Sequence, residues 1–366
     1  MNIINADNGG IDAHVNKVRF FNEISFETKL KELCSGDLNK KVVVCSYSLD
    51  YNLISRYLNR LTNVEILLNS KNIGWLQSKY PSIKFYERND VHAKFMLIEP
   101  NEVLLSSQNF WNKGNLEYFQ WGVDIIGDKD VYNFYSDIFE NYVKNSNNIE
   151  YRNKKQAKQK YEQQKLDYTP LLKSEVYLGS NSIIVSYPQL KLFKMQNYAT
   201  KFVGYRNSQN KSRNLCLVTY TMPDNNHGGK GHLESILTGL KNSGTQLTLF
   251  ASADVEKVER ELKALSKKYK CFRFLTCKNL HAKMIIDDNK GVFLSSQNFS
   301  DSDWFEDTIR VKNGYVHTFY LEQFINFLKS QRIYKFVDGK KHELKDSEKE
   351  SLLNDLAKLD KKIRRE

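Results

Sequence analysis

The stretch His92–Phe110, HAKFMLIEPNEVLLSSQNF, returns at His281–Phe299 as HAKMIIDDNKGVFLSSQNF. The two copies agree at both ends and drift in the middle. Each reads as an apolar strand, a turn and a second apolar strand, with turns near Glu99–Glu102 and Asp288–Gly291. Side chains alternate along a strand, so His92 and Lys94 share one face while Ala93 points away. Antiparallel pairing about the first turn is expected to set Lys94 opposite Ser107 and His92 opposite Asn109. The second turn sets Lys283 opposite Ser296 and His281 opposite Asn298. Each hairpin then presents an imidazole ringed by an ammonium, a hydroxyl and an amide. A register slip of one residue would scatter the set.

The repetition extends outward from these hairpins. VVVCSYSLD (Val42–Asp50) resembles LCLVTYTMPD (Leu215–Asp224), a buried strand running into a polar turn. Helical patterns follow at Tyr51–Leu61 and His232–Lys241, then strands at Val64–Leu68 and Gln246–Ala251, a further helix, and short strands near Phe85 and Phe274. Past the hairpins, VYNFYSDIFENYV (Val131–Val143) resembles VHTFYLEQFINFL (Val316–Leu328), both at helical spacing. Each half is therefore an α/β layer with helices on a mixed sheet. Two copies in one chain imply a pseudo-two-fold pair, as in a fused homodimer. Expected domains are 1–147 and 171–335, joined by a charged linker helix over 148–170 and followed by a charged helical tail over 336–366. Residues Val176–Tyr205 read as extra strands of the second half. In the tail, Ser347 and Glu350 fit a capping box. Leu352, Leu356, Leu359 and Ile363 share one helical face, which would dock on the body or mediate a homodimer.

Composition bounds the partners. The 366 residues are 40% hydrophobic and 13% aromatic, enough for packed cores, and carry a formal net charge of +12. That excess favours polyanions, nucleic acid before anionic membrane. No apolar run reaches the roughly 18 residues of a membrane span. The N-terminus lacks a secretory pattern. Five scattered cysteines without a C-x-x-C pair point to reduced thiols in the cytoplasm, and no metal or other cofactor is expected.

Ammonium, hydroxyl and amide donors around an imidazole suit the non-bridging oxygens of a phosphate. The imidazole can serve as nucleophile or proton carrier. Displacement through a covalent intermediate needs two imidazoles, one to attack phosphorus and one to protonate the leaving oxygen. Duplication supplies the second if the two faces meet. A lone H-x-K on a strand carries almost no information. The complete set kept twice within matched flanks does, because repeat architecture alone would preserve strands and turns rather than His, Lys and Asn.

These paired motifs resemble the H-x-K-x4-D-x6-G-S-x-N signature of the phospholipase D superfamily, and the resemblance covers both halves. It implies two α/β domains related by a pseudo-two-fold, with the active site at their interface. It also implies metal-independent phosphodiester cleavage through a phosphohistidine. The residues that carry over are His92, Lys94, Ser107 and Asn109 with His281, Lys283, Ser296 and Asn298. Family habit makes His92 the nucleophile and His281 the acid. Ser106 and Ser295 replace the motif Gly, and Glu99 replaces an Asp that Asp288 keeps; Glu99, at the turn and away from the catalytic end, is expected to be structural. Many members also have a downstream acid that orients the imidazole. Glu117 and Glu306 lie at the same spacing after the motif Asn and are assigned that role.

The charge favours a nuclease, with DNA favoured over RNA and without stable membrane insertion. Trp111, Trp304 and the Gly-rich loop at His227–His232 with Lys230 are candidates for holding substrate; a place in the core, or a simple insertion, is the alternative for each. A phospholipid-hydrolysing or transphosphatidylating enzyme is the second reading, and an idle binding module the third.

Overall fold

The computed structural model describes residues 10–15, 17–21, 26–69, 73–110, 118–144, 176–179, 182–186, 188–194, 214–222, 229–289, 291–299 and 306–360. Their strands form two mixed sheets. The first has nine strands, in the order Ile83–Glu87, Asn63–Leu68, Lys41–Ser46, Phe95–Ile98, Glu102–Ser106, Gly122–Ile126, Lys17–Phe21, Ser182–Ser186 and Val176–Gly179. The second has ten, in the order Gly10–His14, Gln189–Lys194, Asp307–Lys312, Gly291–Ser295, Met284–Asp287, Asn214–Thr219, Gln246–Ser252, Arg273–Cys277, Tyr334–Val337 and Lys340–Glu343.

The matched α/β halves expected from the repeat are present. In each, three parallel strands are joined by helices and followed by the motif hairpin and one more antiparallel strand. The strands are apolar because they are covered on both faces; Val42, Val44, Ile66, Leu217 and Leu249 are all fully or nearly fully buried. Helices Lys129–Lys144 and Gly314–Ser330 turn Val131, Tyr135, Ile138, Val316, Tyr320 and Phe324 into a core that joins the two halves. Burial of such side chains stabilises by ~1.5–3 kcal/mol each. The Tyr320 hydroxyl also donates to the Gly122 carbonyl of the first sheet at 3.1 Å.

The halves exchange strands, which the repeat does not reveal. Of the strands read as extra elements of the second half, only Gln189–Lys194 lies there. Val176–Gly179 and Ser182–Ser186 form a ladder beside Lys17–Phe21 in the first sheet. In return Gly10–His14 pairs with Gln189–Lys194 at the edge of the second.

The tail also differs from its expected form. It opens with a hairpin, Tyr334–Val337 against Lys340–Glu343, around Asp338 (φ 48°) and Gly339 (φ 79°). Two positive φ values at an Asp-Gly pair are what a tight hairpin turn requires. The helix then runs Asp346–Ala357 with Lys345 as its N-cap, two residues earlier than the Ser347 cap implied. Glu348, rather than Glu350, closes the first turn by accepting the Lys345 N–H at 3.0 Å. Its Leu352 and Leu356, with Leu359 beyond, are buried against the chain's own core. The apolar face offered for a homodimer is thus covered within the chain. Thr318 Oγ1 donates to Asp360 at 2.6 Å, and Lys349 Nζ to the Lys329 and Gln331 carbonyls at 2.7 and 2.8 Å, which fixes the docking. The linker over 148–170 and Ile363 lie outside the described residues. Among the described residues no helix is long and apolar enough to cross a membrane.

Candidate active site

Both motifs place their polar residues just past the ladder. Phe95 pairs with Cys45 and Leu105, and Met284 with Val218 and Leu294. This register differs by one from the expected pairing. It brings Lys94 against Ser106, whose N–H donates to the Lys94 carbonyl at 3.1 Å; Ser295 and Lys283 do the same at 2.9 Å. The cluster survives the shift because His92–Lys94 and His281–Lys283 precede their strands, where strict alternation no longer applies. The acid at the turn ties the frame together in both halves, as expected for Glu99. Glu99 accepts the Lys41 N–H at 3.0 Å, and Asp288 accepts the Asn214 N–H at 3.0 Å, each tying the hairpin to the start of the neighbouring strand. Gly291 lets the Asp287 carboxylate close in; a Cβ there would stand 2.7 Å from Oδ2.

The two halves meet at His92. Its Nδ1 lies 2.8 Å from Oε2 of Glu306 in the other half. Glu306 is fully buried and also takes a hydrogen bond from the Ser296 hydroxyl. Burial pushes the Glu306 carboxyl up, but His92, Lys94 and Ser296 together hold it below its ordinary value. The carboxylate therefore accepts Nδ1–H and leaves the Nε2 lone pair for chemistry. Burial, with Lys94 and Lys283 nearby, lowers His92 to about 4 in spite of Glu306. The ring is neutral at pH 7, and 14% of its side chain stays accessible.

Lys94 and Lys283 are completely buried. Burial brings Lys94 down to about 8, and burial with the charge of Lys94 brings Lys283 well below its ordinary value. Lys94 Nζ bonds the His92 carbonyl, and its backbone N–H donates to Asp307 across the interface at 3.3 Å. Lys283 Nζ stands 3.3 Å from both ring nitrogens of His281. Burial, followed by Lys283, Lys94 and His92, lowers His281 well below its usual range. Each histidine thus senses the charges of the opposite half. Asn298 Oδ1 accepts the Thr221 N–H at 3.2 Å, while Asn109 Oδ1 is buried without a partner among the described residues.

The serines are engaged in holding the frame. Ser107 Oγ accepts the Trp121 N–H at 3.1 Å, and Ser296 Oγ accepts the Asp307 N–H at 3.0 Å. Those two bonds also define which downstream residues correspond. Ser106 pairs with Gly122 and Ser295 with Thr308, so Trp121 matches Asp307 and Gln120 matches Glu306. Gln120 was missed in the sequence because the first half has a longer loop before this strand. It is buried, and neither of its amide atoms has a partner among the described residues. The site is therefore asymmetric, with a carboxylate serving His92 and an amide in the equivalent position of the first half. The neighbouring Phe119 carbonyl accepts the N–H groups of His281 and Ala282 at 3.1 and 2.7 Å.

A tyrosine flanks each imidazole. Tyr47 lies edge-on to His92 at 5.7 Å between ring centroids, and Tyr220 lies 4.8 Å from His281, with Tyr118 at 6.2 Å on another side. The signal was visible as CSYS against VTYT at the ends of two matched strands. Glu117, Trp111, Trp304 and the loop at 224–228 lie outside the described residues; Gly229 and Lys230 open helix Gly229–Asn242.

No known family profile matches the chain, and no curated protein does. Among solved structures, the chain is similar to polyphosphate kinase from Porphyromonas gingivalis, with a TM-score of 0.59 at 12% identity over 95% of this chain and 52% of that one. This chain thus spans about half the length of the kinase. It is also similar to yeast tyrosyl-DNA phosphodiesterase, with a TM-score of 0.45 at 10% identity over 81% and 90% of the two chains. A third similar structure is Nuc from Salmonella typhimurium, a phospholipase D family member, with a TM-score of 0.32 at 15% identity over 40% and 98%. The likeness to the first of these structures is one of fold, two α/β halves each built on a mixed sheet flanked by helices.

Proposed function

We propose that this protein is a phosphodiesterase that cleaves nucleic acid, DNA before RNA, through a phosphohistidine on His92. The observation that carries the reading is the His92–Glu306 pair across the two halves. It holds one neutral imidazole with Nε2 as the available lone pair. Attack by Nε2 forms a P–N bond while the bond from phosphorus to the leaving oxygen breaks. His281, protonated once the phosphate lies between the lysines, gives its proton to that oxygen. It then takes a proton from water as the water attacks phosphorus, the P–N bond breaks, and His92 is regenerated. Lys94, Lys283, Asn109 and Asn298 surround the non-bridging oxygens and stabilise their charge. The net charge of +12 favours a polyanionic substrate.

The test is a panel of labelled DNA, RNA, polyphosphate and phospholipid vesicles, each incubated in EDTA. Nucleic-acid cleavage that persists in chelator is expected. His92→Ala should abolish it, and His281→Ala should leave phosphohistidine on His92, mapped by mass spectrometry. Turnover of polyphosphate or phospholipid alone, or a strict requirement for a divalent cation, would overturn the reading.

A further inference from the structure

Few large hydrophobic side chains are exposed among the described residues, and three of them share one rim of the first half. Tyr47 is 38% exposed, Tyr51 44% and Trp75 50%. The rim is the one the site uses. Strands Lys41–Ser46 and Asn63–Leu68 run parallel, and Tyr47, Tyr51 and Trp75 all follow their carboxyl ends. Phe95 pairs with Cys45, so His92 emerges at the same ends. Tyr47 already touches the His92 ring edge-on. Four residues on, Tyr51 opens a helix and meets Trp75 at 5.5 Å and 71°. Lys79, one turn beyond Trp75, holds its ammonium 4.7 Å from the indole centroid.

An aromatic pair is thus left half open on the rim at which His92 emerges. Packing does not explain it, since the core beneath closes on Leu53, Ile54 and Leu76 without these rings. Nor does the repeat. The corresponding helix of the second half, Glu256–Lys268, carries Val258 as its third residue, where the first half has Trp75, and Val258 is fully buried. Open aromatic faces with a flexible cation beside them suit flat, unpaired bases joined by phosphates. Each base can stack regardless of its identity, and the ammonium can swing to the backbone. A duplex keeps its base faces covered and cannot use such a surface.

We infer that Tyr51 and Trp75, with Lys79, form a stacking subsite for unpaired bases of a single strand whose phosphate lies at His92. The subsite rests on the nucleic-acid reading of the centre. It makes the enzyme prefer single strands and bases over a bare backbone, without sequence specificity.

The test compares KM and kcat of the full chain on a single-stranded oligonucleotide, the same length of abasic strand, the matching duplex, and a small chromogenic phosphodiester. Trp75→Ala and the double variant with Tyr51→Ala should raise KM for the base-bearing strand about tenfold or more. KM for the abasic strand and turnover of the small diester should stay within about twofold. Trp75→Phe, which keeps a stacking face, should restore most of the affinity. If the variants leave the ratio of KM between base-bearing and abasic strands unchanged while the wild type cleaves DNA, the subsite is wrong and the nuclease reading stands. If the wild type hydrolyses vesicle phospholipid and no nucleic acid, both fall.

Discussion

At His92 the chemistry is set by which nitrogen is occupied. Glu306 holds Nδ1, and Ser296 holds Glu306, so the carboxylate acts through the imidazole it orients. Glu306→Gln keeps the shape and removes the charge. A kcat loss of about 10²- to 10⁴-fold is expected, by analogy with removal of the orienting carboxylate in a catalytic triad. The pH profile of kcat/KM separates this from a structural defect, because it reports the groups of the free enzyme. In the proposed mechanism His92 attacks as the neutral base, so activity should fall as pH drops through about 4, where its ring takes a proton. In the same mechanism His281 must hold the proton it donates and Lys94 must bind phosphate as the cation, so activity should decline as pH rises above the lowered His281 value and be lost through about 8. Glu306 pulls the His92 value upward; in Glu306→Gln the acid limb should therefore move to lower pH. An acid limb that stays in place would show that Glu306 does not govern the ring. Gln120 supplies the contrast. Its amide carries no charge, so Gln120→Glu should make the two halves electrostatically alike, and the alkaline limb should move upward as a second carboxylate steadies the lysines.

The motif hairpins show what an element inherits from its sequence and what it does not. His, Lys, Ser and Asn were legible because both copies keep them at one spacing while FMLIEPNEV and MIIDDNKGV differ as strand and turn. Their register was legible only to within one residue. Alternation says which residues share a face, but it does not say where a ladder stops, and here it stops at Phe95 and Met284. The partner acid was half legible. Spacing counted from Asn298 reaches Glu306, but the same count from Asn109 reaches Glu117. The ladder position that matches Glu306 belongs to Gln120, because loop length varies freely where strand pairing does not. The Asp338-Gly339 turn was legible and overlooked beneath the helical charge pattern of the tail. The exchanged strands were not legible at all. An apolar alternation such as SIIVS needs a neighbour but does not name one. The tail gives a direct test of where its apolar face is used. Leu356→Ala should cost about 2–4 kcal/mol through the cavity it opens, seen as a lower denaturation midpoint. Sedimentation should show no change in association state, because Leu352, Leu356 and Leu359 pack on the chain's own core. A variant that alters association and leaves stability untouched would contradict that packing.

The whole molecule brings four basic groups from two halves to one point. The exchange of Gly10–His14 for Val176–Ser186, the Tyr320–Gly122 bond and the 3.1 Å bond from Trp121 Nε1 to the Ser295 carbonyl tie those halves together. The basic groups therefore cannot relieve their repulsion by moving apart. They relieve it by releasing protons instead. Burial lowers His92, His281, Lys94 and Lys283 alike, and the charge of basic neighbours adds to it at His92, His281 and Lys283. An anion placed among them favours the charged form of each and raises all four values. Binding of a phosphate mimic such as tungstate should consequently draw protons from solution. At pH 8, Lys94 is about half neutral before binding and charged after it, and Lys283 and His281 add to the uptake. At acid pH, where the groups are already protonated, uptake should vanish. Titration calorimetry in buffers of different ionisation enthalpy measures the proton count directly. Lys283→Met should reduce the count at pH 8, and the bound anion should raise the denaturation midpoint, by an amount that grows with the logarithm of its concentration over Kd. Tungstate that binds with no proton uptake at pH 8, or with proton release, would show that the free site already holds its full positive charge. The depressed lysines, and the switch of His281 from neutral to acid on binding, would then be wrong.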